Sequence, residues 1–244
     1  MCYSDDARPP DHGLGGAVGS SEDLVLAASD GNKFAARMAR PEKPNGTGMV
    51  ILPDIRGLHN FYKDMACRFA EAGIDALAID YFGRTAGIGD RGDDFDWQTH
   101  IPQTTAAGVA MDVAAGLDHL RSLGDERLFT MGFCFGGGNS WRQSADQPGL
   151  TGAIGFYGNP AASIEVLDDM KAPVLMLVAG ADHRPLTDFE EMERRLGEVG
   201  LPHQMVVYEG APHSFFDRGQ EFWADACADA WKQMLSFIKG PAAA

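Results

Sequence analysis

The chain has 244 residues, 45% of them apolar, with 13 prolines and 30 glycines, enough for one sizeable core in a chain of this length. A formal net charge of −15 repels phosphate and argues against nucleic acid as a partner. No apolar run reaches the ~18 residues of a membrane span, and the opening "MCYSDDARPPDHGLGG" lacks a basic region ahead of an apolar one, so no secretory signal is expected.

Residues 1–21, rich in Gly, Pro, Ser and Asp, read as a flexible N-terminal arm, and residues 22–240 as a single domain. "LVLAAS" and "KFAARMA" flank Asp30-Gly31-Asn32, a hairpin signal. "GMVILP" is a buried strand, followed by a helix from about Phe61 to Ala72 and the strand "DALAID". A long helix is predicted from about Pro102 to Leu123, with Val109, Val113, Leu117 and Leu120 on one face. Then come "RLFTMGF", a helix beginning in glycines, "GAIGFYG" and "APVLMLVAG". A charged helix (about Thr187 to Val199), the strand "HQMVVYEG" and a last helix (about Glu221 to Ile238) complete the pattern, and "GPAAA" frays. This alternation implies an α/β fold, a mostly parallel twisted sheet with helices on both faces. Sites in such sheets form at the carboxyl ends of strands.

Three such ends carry chemistry. In "GFCFGG", Cys134 follows a strand and precedes a helix. This is a nucleophile elbow with sulfur in place of oxygen; the glycines leave room for crossing backbones, and the helix N-terminus favours the thiolate. The N–H of Phe135 becomes one oxyanion donor. Asp182 follows "VLMLVAG" and His213 follows "VVYEG". Nucleophile, acid and histidine stand in the α/β-hydrolase order: the histidine moves protons and the carboxylate fixes its tautomer. His183, as sequence neighbour of the acid, is expected to point elsewhere. After the strand at 49–52, "ILPDIRGLHN" places Ile55 as the second oxyanion donor and Asp54 either beside the thiol or in a turn or cap.

These residues resemble the dienelactone hydrolase family, over about Leu24 to Ile238, most specifically in "GFCFGG", "GADHR" and "APHSFFDR". The resemblance implies an α/β-hydrolase fold with Cys134, Asp182 and His213 as a catalytic triad. It implies a cofactor-free hydrolase of lactones or activated esters. The family usually has a glutamate where Asp54 stands, thought to interact with the thiol and to help switch it on. Arg84, in "DYFGRTAG", matches a family arginine that binds the substrate carboxylate. The second such arginine lies four residues after the histidine; here that position is Asp217, with Arg218 beside it. A thiolate leaves as readily as it attacks, which suits strained or activated esters better than amides.

"GIGDRG" (87–92) is a lone dinucleotide-like pattern discounted because no apolar helix follows it and Asp93 and Asp94 would repel a pyrophosphate. Gly83 to His100 reads as a mobile loop over the pocket, with Arg84, Arg91, Phe95 and Trp97 within reach of substrate. Cys2, Cys67, Cys134 and Cys227 have no metal or disulfide spacing, and read as reduced thiols of a cytoplasmic protein; Cys67 reads as a core residue. A monomer acting on a small molecule is expected, without metal or membrane. A thioester or phosphotriester hydrolase of the same fold and a redox sensor built on Cys134 stay open as alternatives.

Overall fold

The computed structural model describes residues 3–11 and 13–240. Cys2 and residues 241–244, read above as a thiol and a fraying tail, lie outside them. β1 (Val18–Ala27) and β2 (Lys33–Pro41) form an antiparallel hairpin. Its turn is as the sequence signals: Gly31 has φ 85° and Asp30 Oδ1 accepts the Asn32 N–H at 3.1 Å. Then follow β3 (Thr47–Leu52), α1 (Asn60–Glu71), β4 (Asp75–Ile79), the short helices α2 (Gly83–Ala86) and α3 (Trp97–His100), α4 (Ala106–Ser122) and β5 (Arg127–Phe133). After them come α5 (Phe135–Asp146), β6 (Gly152–Phe156), the short α6 (Ala161–Ile164), β7 (Val174–Ala179), α7 (Leu186–Glu198), β8 (His203–Tyr208) and α8 (Ala224–Lys239).

The eight strands form one sheet in the order β1-β2-β4-β3-β5-β6-β7-β8. β2 is antiparallel to β4, and every pair from β4 through β3 to β8 is parallel. This is the expected α/β-hydrolase fold. β3 shows why the sheet is covered on both sides: Met49 and Ile51 enter the core beneath α1 and α8, and Val50 and Leu52 the core beneath α4. The apolar face of α4 is the one expected, with Val109, Val113, Leu117 and Leu120 all buried. On the other side, Phe69 of α1 meets Trp231 of α8 edge to face at 5.3 Å. Trimming Trp231 to alanine would cost about 3–5 kcal/mol. Among the described residues no helix is long and apolar enough to cross a membrane.

Several expectations need correction. α4 begins at Ala106, because Pro102 sits in a separate 3₁₀ turn (Ile101–Gln103) and the Thr105 hydroxyl caps the helix by accepting the Gly108 N–H. The last helix is likewise preceded by a 3₁₀ turn, Glu221–Trp223. Part of the supposed arm is packed: Val18 to Ser21 belong to β1 and Tyr3, Ala7, Pro9 and Pro10 are buried, while residues 13–17 are exposed. The Gly83–His100 stretch is anchored at Arg91, Phe95 and His100, while residues 87–90 are exposed. Arg91 is buried, 2.9 Å from Asp80 and 4.6 Å over the Phe95 ring, while Phe95 stacks on His100.

Candidate active site

Cys134 sits between β5 and α5 with φ 53° and ψ −114°, a backbone conformation strained for any residue with a side chain. Its surroundings enforce it. The Cys134 N–H donates to Phe156 O at 3.0 Å, and its carbonyl accepts the Gly137 and Gly138 N–H groups. A Cβ on Gly132 would run into the Gly136 carbonyl, and one on Gly136 into the carbonyls of Leu52 and Pro53. β3, β5 and α5 therefore cross at backbone contact. Cys134 is 7% exposed. Among the described residues no acceptor meets the N–H of Phe135, at the start of α5, or of Ile55, in the Asp54–Gly57 turn.

Asp182 turns off the end of β7, its N–H donating to Ala179 O, and its carboxylate is fully buried. Oδ2 lies 2.7 Å from His213 Nδ1, and Oδ1 accepts the Arg184 N–H at 3.3 Å. Burial acts first on this carboxyl, upward; the hydrogen bond and charge of His213, the Arg184 amide and His183 outweigh it, and the group stays below the ordinary carboxylate value. His213 follows β8 and rests over the Tyr157 ring at 4.6 Å. Burial pulls its imidazolium down, but hydrogen bonds to Asp182 and to Cys134 more than offset this and raise it to about 9. Cys134, His213 and Asp182 thus lie in one hydrogen-bonded line.

His183 does not point away, as its position in sequence suggests: its Nδ1 is 2.5 Å from Asp182 Oδ1 and its ring is 5.1 Å from that of His213. The ligand atoms of Asp182, His183 and His213 lie within 4.8 Å of one another, a spacing that could hold a transition-metal ion. Asp54 is fully buried. Its Oδ1 accepts the Arg56 N–H at 2.8 Å, an Asx turn, and Oδ2 accepts the Tyr3 N–H at 3.3 Å. The buried His59 ring comes no nearer than 3.8 Å to this carboxylate.

The arginines named from sequence are engaged elsewhere. All three nitrogens of Arg84 donate to carboxylates: Nε and Nη2 to Asp112 (3.0 and 2.9 Å), Nη1 to Asp30 (2.5 Å). Arg84 is thereby a structural cross-link between the β1–β2 turn and α4. Arg218 is exposed, with Nη1 3.9 Å from Asp11, and Trp97 packs partly buried on the α4-side core. Sequence reasoning passed over Tyr157, Arg184 and Tyr3. Tyr157 has φ 36° directly after β6, and its carbonyl accepts Arg184 Nη1 at 3.3 Å. A search of strand ends for aromatic as well as titratable residues would have found it.

The profile of the dienelactone hydrolase family matches residues 34–241. An Escherichia coli O157:H7 protein named "Putative carboxymethylenebutenolidase" is 30% identical over 246 residues, covering 91% of this chain and 90% of its own. A Bradyrhizobium protein named "Probable 2-oxo-3-(5-oxofuran-2-ylidene)propanoate lactonase" is 25% identical over 235 residues, covering 89% and 93%. Among solved structures, a dienelactone hydrolase-like promiscuous phosphotriesterase from metagenomic libraries superposes with a TM-score of 0.76 at 22% identity, over 91% of this chain and 98% of that one, a likeness of fold.

Proposed function

The chain belongs to the dienelactone hydrolase family, and from that premise we propose that it hydrolyses lactones or activated carboxylic esters through an S-acyl (thioester) intermediate on Cys134. The observation that carries this reading is the line Cys134–His213–Asp182, begun at a strained elbow and ended at a buried carboxylate. With His213 Nδ1 bound to Asp182, Nε2 is left for the thiol. His213 takes the thiol proton and the sulfur attacks the substrate carbonyl carbon. The resulting oxyanion is held by the N–H groups of Phe135 and Ile55. The C–O bond then breaks and His213 returns the proton to the leaving oxygen, which in a lactone stays tethered to the acyl chain. Water, deprotonated by His213, attacks the thioester, and the thiolate departs and is reprotonated. Asp182 stabilises the imidazolium at each stage.

For an anionic substrate we assign recognition to Arg184 rather than Arg84. Arg184 lies two residues from the triad acid, and its guanidinium has no carboxylate partner among the described residues. The reading is tested by quenching a slow aryl ester or lactone and mapping the adduct. An acyl group on the peptide containing Cys134, lost in Cys134→Ala, supports it; an adduct at another residue defeats it. With a carboxylate-bearing lactone, Arg184→Gln should raise KM about tenfold, with a neutral phenyl ester unaffected.

A further inference from the structure

We propose that Tyr3, carried into the site by the N-terminal segment, is a positioning residue: its hydroxyl fixes the Tyr157 ring on which His213 rests, and its amide helps hold the Asp54 carboxylate. The proposal rests on the triad reading above.

Tyr3 is 3% exposed and stacks on Phe61 of α1 at a ring distance of 3.7 Å, with an edge toward Phe133, the residue before the nucleophile. Its hydroxyl shares a short hydrogen bond with the Tyr157 hydroxyl, across 154 positions of sequence. Burial raises the Tyr3 phenol well above its ordinary value, so it is a neutral group at working pH. Its N–H donates to Asp54 Oδ2 and its carbonyl accepts Arg56 Nη1. The rest of the segment is clasped to neighbouring loops and to α8. Asp5 pairs with Arg56 and accepts the Asp93 N–H, Arg8 bridges Asp217 and Arg218 through its backbone, and Pro10 O accepts Trp231 Nε1. Those links alone would make the segment a strap. Tyr3 differs from them because its hydroxyl reaches the ring that His213 rests on and its amide reaches the buried Asp54 carboxylate. The Tyr157 ring is the surface His213 leans on, its backbone is held at φ 36°, and the Tyr3 hydroxyl bonds the far end of the ring. Loss of the hydroxyl pair lets the ring shift, and with it the imidazole that must meet Asp182 and Cys134 together.

Tyr3→Phe keeps the stacked ring and deletes only the hydroxyl. Its melting temperature should stay within about 2 °C of wild type, while kcat falls about tenfold with KM unchanged. Alkylation of Cys134 by iodoacetamide, followed against pH without substrate, should have its midpoint about half to one unit higher, because a loosened imidazolium supports the thiolate less. Tyr3→Leu should show the same displacement together with a lower melting temperature. Wild-type kcat and an unmoved midpoint in Tyr3→Phe would overturn the proposal. So would rate losses that follow melting temperature alone across the two variants. The alkylation measurement requires no turnover. Should wild type form no acyl adduct at Cys134, the hydrolase reading falls, and the midpoint still decides the role of Tyr3.

Discussion

Two loops at the carboxyl end of the sheet, after β3 and after β7, each bury the carboxylate of one aspartate completely. Around Asp182 the partners are imidazoles: His213 on one oxygen, His183 at the other, with a single amide from Arg184. Around Asp54 the partners are peptide groups, the N–H of Arg56 and of Tyr3, while its nearest imidazole stops at 3.8 Å. The same side chain at the same depth is wired to proton carriers in one loop and to fixed dipoles in the other. A carboxylate bonded to imidazole changes its surroundings' protonation; one bonded to amides sets backbone position and presents a constant negative field.

That contrast predicts opposite effects on the thiol. Asp182→Asn leaves His213 without the partner that raises its imidazolium, so kcat/KM should fall about a thousandfold and iodoacetamide should alkylate Cys134 more slowly at neutral pH. Asp54→Asn removes a negative charge without touching the imidazole. Alkylation should then become faster by a few-fold, while turnover drops about tenfold if the turn bearing Ile55 loosens. Equal signs in the two alkylation assays would erase the distinction between the loops.

A smaller effect belongs to His183. His183→Gln keeps a donor beside Asp182 Oδ1 but removes the imidazole ring that lies 5.1 Å from that of His213, so kcat/KM should change by about two- to threefold. A kcat/KM equal to that of wild type would reduce His183 to a bystander. The smallest effect sharpens the comparison from outside the site. Asp125 is buried and raised to about 6, by burial first and by neighbouring Asp75 second. Its folded value exceeds the ordinary 3.8, so its stabilising contribution is complete below pH ~3.8 and is lost as pH rises through about 6. Asp125→Asn should therefore raise the melting temperature by about 2 °C at pH 7 and have no such benefit at pH 4, as thermal denaturation at the two pH values would show.

The turn at Cys134 and the order of Cys134, Asp182 and His213 at strand ends were legible because their signals are local. Gly132, Cys134 and Gly136 lie within five residues, and strand ends are readable from apolar runs. What escaped the sequence is set by distant partners. Arg84 matches a substrate-binding arginine until Asp30 and Asp112, 54 and 28 positions away, occupy its nitrogens. The segment at Tyr3–Pro10 reads as loose because its composition is polar, yet much of its docking uses backbone N–H and C=O groups, which composition does not encode. His183 was misjudged on a geometric shortcut: adjacent residues in a tight turn, unlike those in a strand, can converge on one carboxylate.

The crossing at Gly136 has a consequence for how such a site can diversify. Its Cα fits against the carbonyls of Leu52 and Pro53 with no space for a methyl group. Phe135 lies one position before this contact and Ile55 two after Pro53, so the gap between the two candidate oxyanion donors is gauged by a spacer of zero thickness. Gradual widening by small substitutions has no first step here, because even alanine acts as a wedge between β3 and α5. Substitutions in the loops around the sulfur leave this gap unchanged, while any side chain at Gly136 forces β3 and α5 apart.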